Sequence, residues 1–133
     1  MTLICGIPNA GKTTYSARFS NVIHFDDIRG RDRREKVAKA VRDDNSVTVE
    51  GVYAKAKERK PLIDACSGTK TCIWLDVPVD VCVDREMNGR KRSRHMVIWA
   101  AEDFEEPSYD EGWDEIIIIR GGEVIVQSFS NES

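Results

Sequence analysis

Residues 6–13 carry glycine, lysine and threonine at a spacing that suits the binding of a phosphate chain. Gly6, Gly11, Lys12 and Thr13 match the pattern G-x-x-x-x-G-K-[ST] in full. Glycines let the backbone curl so that its N–H groups point at phosphate oxygens, and a following helix adds its positive dipole end. The alternative is a glycine turn that begins an ordinary helix. The pattern predicts a site for a nucleoside triphosphate, and the residues expected to bind ATP are Asn9, Ala10, Gly11, Lys12, Thr13 and Thr14.

The same segment supplies groups for catalysis and for a metal ion. The Lys12 ammonium is a mobile charge that can follow the β- and γ-phosphates through a reaction, so we expect it to be catalytic. The Thr13 hydroxyl is a hard oxygen ligand, which Mg²⁺ prefers. ATP and Mg²⁺ are therefore the cofactors that the sequence predicts.

Carboxylates follow the second apolar run, residues 22–25. Asp26-Asp27-Ile28-Arg29 stands at this strand end, where open α/β sheets place their chemistry. A carboxylate can accept the proton of an acceptor hydroxyl, and a neighbouring arginine can bind an acceptor phosphate. Two other interpretations stay open: Asp27 as a helix N-cap, or both carboxylates as solvated turn residues.

A further carboxylate, Glu50, ends the third strand-like run. It could hold Mg²⁺ through water, or it could be a plain charge at a strand end. The mixed, basic residues 53–60 that follow could flank the acceptor, but we expect them to form a solvated helix face.

Charge is unevenly distributed in this chain of net charge −3. The overall sign argues against a protein that coats long nucleic acids. Residues 85–95 nevertheless form a basic segment with Glu86 as its single acid, whereas residues 102–115 hold eight acids and no base. The basic segment is either a functional element over bound phosphates or a solvated basic helix end.

Apolar runs alternate with stretches of helical length, which predicts an α/β fold: a three-layer sandwich around a mainly parallel sheet of about five strands. The predicted strands are residues 3–6, 22–25, 47–49, 72–75 and 116–119, with a short last strand at 124–126 after a glycine turn. The predicted helices are residues 12–19, 32–42, 54–66, 79–87 and 96–104. We expect residues 1–133 to form a single domain.

Composition excludes several classes. The longest apolar runs are far shorter than the roughly 18 residues of a membrane span, and the first residues show no secretory pattern, so we expect a cytoplasmic protein without membrane partners. The four cysteines form no C-x-x-C pair, so we expect buried, reduced thiols and no zinc site. His24 and His95 stand apart from any Ser or Cys partner for nucleophilic catalysis.

These features together resemble the P-loop polynucleotide kinases, whose loop usually reads G-x-P-G-S-G-K-[ST]-T. Here Asn9 replaces one glycine, and asparagine tolerates the left-handed backbone that the loop shape requires. The resemblance covers nearly the whole chain, including the middle carboxylates, the basic segment and the stretches 104–107 and 112–116. It implies the P-loop NTPase fold, with Asp26 as general base, Arg29 on the acceptor's phosphate and a lid around residues 85–95.

In this family the lid carries arginines that reach over the ATP phosphates and neutralise charge that develops during transfer. Arg85 matches the first of them in position. The spacing of the second falls on Gly89, which brings Arg90, Arg92 and Arg94 into contention, and Arg90 is favoured.

The resemblance implies transfer of the ATP γ-phosphoryl group to a hydroxyl, with the 5′-hydroxyl of DNA or RNA as the expected acceptor. A kinase for a small metabolite or nucleoside is the alternative within the enzymes. A nucleotide-responsive ATP-binding module is the alternative outside them.

Overall fold

The computed structural model describes residues 1–87 and 94–127, with Glu86 and Met87 described for the backbone alone. Strands and helices alternate along these residues. The strands are β1 Thr2–Cys5, β2 Val22–His24, β3 Thr48–Glu50, β4 Thr71–Leu75, β5 Glu115–Arg120 and β6 Glu123–Gln127. The α-helices are α1 Lys12–Ser16, α2 Arg33–Asp43, α3 Ala56–Ala65, α4 Val79–Met87 and α5 Arg94–Asp103. Two 3₁₀ turns lie at Phe25–Asp27 and Tyr109–Glu111.

The strands form one sheet in the order β2-β3-β1-β4-β5-β6. The first five strands are parallel, and β6 runs antiparallel to β5. The predicted α/β fold with a mainly parallel sheet is therefore confirmed, with six strands among the described residues instead of about five. Because parallel strands end at one edge, the carboxyl ends of β1, β2 and β3 lie side by side.

Two apolar cores cover the two faces of the sheet. Alternation along β1 sends Leu3 and Cys5 to one face, where they pack with residues of α2 and α3, and sends Ile4 to the other face, with residues of α1, α4 and α5. Burial of each Leu or Ile side chain contributes about 1.5–3 kcal/mol. The predicted three-layer sandwich is confirmed.

Some element bounds differ from those predicted. Helix α1 ends at Ser16 instead of residue 19, and the chain continues through tighter turns in which Arg18 N donates to Tyr15 O and Phe19 N donates to Ser16 O. Ser16 Oγ also donates to Thr13 O at 2.7 Å, and such a bond from a side chain to the backbone competes with the helical ladder. Helix α3 begins at Ala56, two residues later than predicted.

All four cysteines are free and buried, as the sequence predicted. In the described part of the chain, no helix combines the length and the apolarity needed to span a lipid bilayer.

Candidate active site

The loop between β1 and α1 is shaped by three residues with unusual backbone requirements. A Cβ at Gly6 would lie 2.9 Å from the Leu75 carbonyl oxygen, so only glycine fits beside the end of β4. Gly11 has φ 100° and Asn9 has φ 70°, both left-handed. Asn9 thus has the conformation that the sequence predicted it to tolerate, and the loop keeps the curl that directs backbone N–H groups to one side.

Two cations are held by backbone carbonyls of this loop. Lys12 Nζ donates to Ile7 O at 2.9 Å, and Arg85 Nη1, from α4, donates to Asn9 O at 2.6 Å. In the opposite direction, Asn9 Nδ2 donates to Cys82 O of α4 at 3.2 Å. Helix α4 is therefore tied to the loop, and Arg85, which was predicted to be a lid arginine, lies against the loop backbone.

A small pocket of 60 Å³ brings together three segments that the sequence placed far apart. It lies at the carboxyl ends of β1, β2 and β3. Its lining is Pro8, Asn9, Gly11, Lys12, Thr13, Thr14, Asp26, Glu50 and Val52. The fold thus places cationic, hydroxyl and carboxylate groups around one small volume, which is what a phosphate chain and a divalent cation require.

Glu50 makes a contact that the sequence analysis did not predict. Its Oε1 lies 2.7 Å from His24 Nδ1. The two residues are paired in register at the ends of neighbouring strands β3 and β2. Because Glu50 is buried and hydrogen-bonded, it is not a solvated strand-end charge. A carboxylate oriented in this way can hold a metal-bound water in a fixed position.

The Asp-Asp-x-Arg cluster is divided by the fold. Asp26 and Asp27 are exposed in the 3₁₀ turn Phe25–Asp27, and Asp26 alone of the two lines the small pocket. Asp27 does not cap a helix, since α2 starts after Asp32. Arg29 is exposed and does not line this pocket. The structure therefore brings Asp26 to the loop, and it does not bring Arg29 there.

A second cleft, of 440 Å³, continues from the loop on the side of β4 and β5. That volume lies in the range of small-molecule sites. Its lining is Asn9, Ala10, Gly11, Thr14, Tyr15, Arg18, Leu75, Val77, Arg85, Ile119, Gly121 and Gly122. The Arg18 guanidinium lies 4.4 Å from the Tyr15 ring centroid. Tyr15 and Arg18 were not predicted to line a cleft. The only indication in the sequence is their position on the helix and turn that follow the loop.

The remaining lid residues are only partly described. Arg90 and Arg92 lie outside the described residues. Arg94, the third candidate for the second lid arginine, is the first residue of α5 and is exposed.

The expectation that residues 53–60 form a solvated helix face is wrong for Arg59. It is 0% exposed. Its Nε and Nη2 donate to the two carboxylate oxygens of Glu111, each at 2.9 Å, and its Nη1 donates to Tyr53 O at 2.9 Å. Burial works to lower the pKa of Arg59, but the hydrogen bonds and the charge of Glu111 outweigh it and raise that pKa. Arg59 thus fixes the backbone just after Glu50.

A second basic segment was also missed. Residues 29–42 contain seven bases and two acids. They follow Asp26 directly and run through most of α2. The chain therefore carries a second run of positive charge, which follows Asp26 in the sequence.

The sequence matches no protein-family model, and no curated protein matches it significantly. Solved structures do resemble it. A gluconokinase from Sinorhizobium meliloti 1021 has a TM-score of 0.69 at 15% identity, covering 89% of this chain and 80% of that one. An unliganded sugar kinase from Janibacter sp. HTCC2649 has a TM-score of 0.65 at 16% identity, covering 88% of this chain and 83% of that one. At this identity the likeness concerns the fold, and the fold of this chain is that of the P-loop NTPases.

Proposed function

We propose that this protein transfers the γ-phosphoryl group of ATP, with Mg²⁺, to a hydroxyl group of a small molecule. The observation that carries the proposal is the small pocket, where Lys12 and Thr13 of the loop meet Asp26 and Glu50. Such a transfer uses cations that bind phosphate, a hydroxyl that can ligate a metal ion and a carboxylate that can accept a proton.

The loop residues act on the phosphate chain. The backbone N–H groups of the loop and of the start of α1 bind phosphate oxygens. Lys12 and Arg85 now donate to loop carbonyls, and charged phosphate oxygens are stronger acceptors for the same N–H groups. Mg²⁺, when bound, would neutralise negative charge on the phosphate chain. Thr13 Oγ and a water held by Glu50 fit as its protein-side ligands.

Asp26 acts on the acceptor. Its carboxylate takes the hydroxyl proton while the hydroxyl oxygen bonds to the γ-phosphorus and the bond from that phosphorus to the ADP oxygen breaks. The proton then passes from Asp26 to solvent, because this side chain is exposed. The 440 Å³ cleft beside Tyr15 and Arg18 is the place that remains for the nucleoside of ATP.

Two observations favour a small acceptor: the similar solved structures and the position of Arg29. The two solved structures are a gluconokinase and a sugar kinase, which favours a polyhydroxy small molecule. Arg29 does not line the pocket that contains Asp26, so the arginine expected to hold a strand-end phosphate is not at the reacting group. The basic residues 29–42 favour a second candidate, a DNA or RNA 5′-hydroxyl end.

A single assay separates these candidates. The protein is given γ-labelled ATP, Mg²⁺ and a panel of acceptors: D-gluconate, neutral sugars, nucleosides and 5′-hydroxyl oligonucleotides. We expect label to pass to one of the small acceptors.

Other outcomes decide against the proposal. Label found only in oligonucleotides selects the second candidate, and a contact with one or two phosphates then gives a log–log salt slope of about −0.7 to −1.4, from about −0.7 per phosphate. Tight ATP binding with no labelled acceptor and no ATP hydrolysis selects a nucleotide-responsive binding module.

A further inference from the structure

Arginines at the start of α2 lie on a pair of aromatic rings. The Arg33 guanidinium carbon is 4.4 Å from the Phe25 ring centroid. The Arg34 guanidinium carbon is 5.2 Å from the Phe25 centroid and 5.5 Å from that of Tyr53. The two rings meet edge to face at 5.4 Å. Stacking on a ring uses the flat side of a guanidinium and leaves its N–H edge available.

These side chains border a cavity of 280 Å³, which we call the arginine cavity. It is lined by Phe25, Arg31, Asp32, Arg33, Arg34 and Glu35. Among the residues that the structure describes, no carboxylate lies within ion-pair distance of Arg33. Arg34 reaches Glu58 only at 3.6 Å and keeps a side chain that is 45% exposed. The cavity thus offers charged donors that an external anion can use.

The aromatic pair is built into the active-site backbone. Phe25 and Asp26 belong to the same 3₁₀ turn. A Cβ at Gly51, the residue after Glu50, would lie 2.9 Å from Phe25 Cβ, so the close approach of these two segments requires a glycine there. Tyr53 has φ 40°, a left-handed conformation that is strained for this residue type. Its carbonyl is held by buried Arg59. The aromatic pair is therefore fixed next to Asp26, the residue proposed to face the acceptor hydroxyl.

We infer that the arginine cavity binds an anionic group of the acceptor, a carboxylate or a phosphate, while the acceptor's hydroxyl faces Asp26. The inference rests on the proposed function and adds a substrate class to it: small hydroxy compounds that carry a negative charge. The charge selects the acceptor, because a guanidinium binds a planar carboxylate or a phosphate through two parallel N–H bonds and has no comparable partner in a neutral polyol.

Matched acceptor pairs test whether the acceptor must be anionic and distinguish a carboxylate from a phosphate as its charged group. D-Gluconate and sorbitol differ at one end of the same six-carbon chain, a carboxylate against a hydroxymethyl group. Adenosine 3′-phosphate and adenosine differ by a phosphate. We expect the anionic member of at least one pair to have a kcat/KM about tenfold or more above its neutral partner. Equal use of both members in both pairs overturns the inference, even if phosphoryl transfer itself is established.

Charge-removal variants locate the effect. Arg33→Gln should raise KM for the preferred anionic acceptor by about 10- to 100-fold, the range of a hydrogen bond to a charged group, and leave the neutral acceptor within about twofold. Arg42→Gln is the matched control, because it removes the same charge from an exposed position on the same helix, away from the arginine cavity. Similar effects of the two variants would show that overall charge, and not the cavity, binds the anion.

A binding measurement decides the inference independently of turnover. The loop is first filled with a non-hydrolysable ATP analogue and Mg²⁺, so that anions cannot bind there. Calorimetric titrations with D-gluconate, adenosine 3′-phosphate and inorganic phosphate then report on the remaining sites. We expect binding that Arg33→Gln removes and Arg42→Gln preserves. Such binding without any labelled product would reject the proposed transfer and keep the anion site, whereas no binding rejects the site.

Discussion

Two groups of cations in this fold, the cluster of Arg59 with Glu111 and the cluster of Lys12 with Arg85, differ in how their hydrogen-bond donors are used. Arg59 directs its guanidinium to both carboxylate oxygens of Glu111 and to backbone carbonyls of residues 53, 54 and 105. Lys12 and Arg85, in contrast, donate to carbonyls of the phosphate-binding loop. The first cluster has an internal counter-charge with ideal two-point geometry. In the second cluster the carbonyl partners are neutral.

Under the proposed function, this difference separates a charge that holds the fold from charges that serve a ligand. An arginine that is fully paired inside the protein has nothing to offer a substrate, and its removal leaves a buried carboxylate without its partner. A cation on neutral carbonyls can exchange them for charged phosphate oxygens at a gain. Under the proposed function, the type of hydrogen-bond partner therefore distinguishes the structural cation Arg59 from the two cations assigned to the ligand.

The largest expected effect is on activity. Lys12→Ala should lower turnover by about 10³- to 10⁵-fold, the scale of a cation that stabilises a transferring phosphoryl group. The protein should remain folded, since the Lys12 ammonium donates to the carbonyl of Ile7 in the loop. Steady-state kinetics and urea denaturation measure both. An unchanged rate would remove the basis for the proposed function.

Asp26→Asn keeps the shape of the side chain and removes its ability to accept a proton. We expect kcat to fall by about 10²- to 10⁴-fold with nearly unchanged ATP affinity. Asp27→Asn is the matched control, because Asp27 does not line the small pocket. A larger effect from Asp27 would assign the general base to the other carboxylate.

Arg59→Met tests the structural cluster. It removes one half of a buried ion pair, so the free energy of unfolding should fall by about 3–5 kcal/mol. Lys60→Met, which breaks the exposed Lys60–Asp64 pair next to it, should cost less than about 1 kcal/mol.

The double variant Arg59→Met/Glu111→Leu should recover part of the lost stability, because no unpaired carboxylate remains. Denaturation curves of the four proteins give the comparison. Equal costs for the buried and the exposed pair would contradict the structural role of Arg59.

His24→Phe removes the donor that orients Glu50. If Glu50 holds a metal-bound water as proposed, the Mg²⁺ concentration for half-maximal activity should rise by about tenfold. His24→Gln retains an amide donor and should have a smaller effect. Magnesium titrations at saturating ATP measure the shift, and an effect on kcat alone would place His24 outside the metal site.

The smallest effect is expected at Asp44, an exposed carboxylate with several partners. Hydrogen bonds from the Ser46 side chain and backbone lower its pKa. The stabilisation from a lowered carboxyl pKa is fully present above the unfolded-state pKa and is lost as pH falls through the folded-state pKa. As the pH falls below about 4, the free energy of unfolding of Ser46→Ala should therefore decrease less than that of the wild type. An unchanged slope would show that these bonds add nothing in solvent.

The sequence predicted those parts of the site whose signals are local. The loop glycines, Lys12 and Thr13 fall within eight residues, and the alternation of apolar runs was enough for the α/β fold. Asp26 and Glu50 could be placed because parallel strands end at one edge. The short last strand predicted at residues 124–126 is β6, and it makes the sheet one strand larger than the expected number of about five.

The missed features depend on contacts between distant residues. Glu111 lies 52 residues beyond Arg59 in the chain, so local pattern gave Arg59 a solvated position. The His24–Glu50 pair requires the knowledge that β2 is next to β3. The position of the α2 arginines over Phe25 and Tyr53 could not be predicted from the sequence, because it depends on contacts between separate elements.

Because all four thiols are buried, their reaction with a reagent can report local opening of the structure. Burial raises the pKa of Cys72 and of Cys82, so little thiolate is present in the closed state. Cys82 lies in the core beneath α4 and α5, whereas Cys5, Cys66 and Cys72 lie in the core on the opposite face of the sheet. Pulse labelling with a thiol reagent, read by mass spectrometry, will thus give separate opening rates for the two faces without any introduced probe.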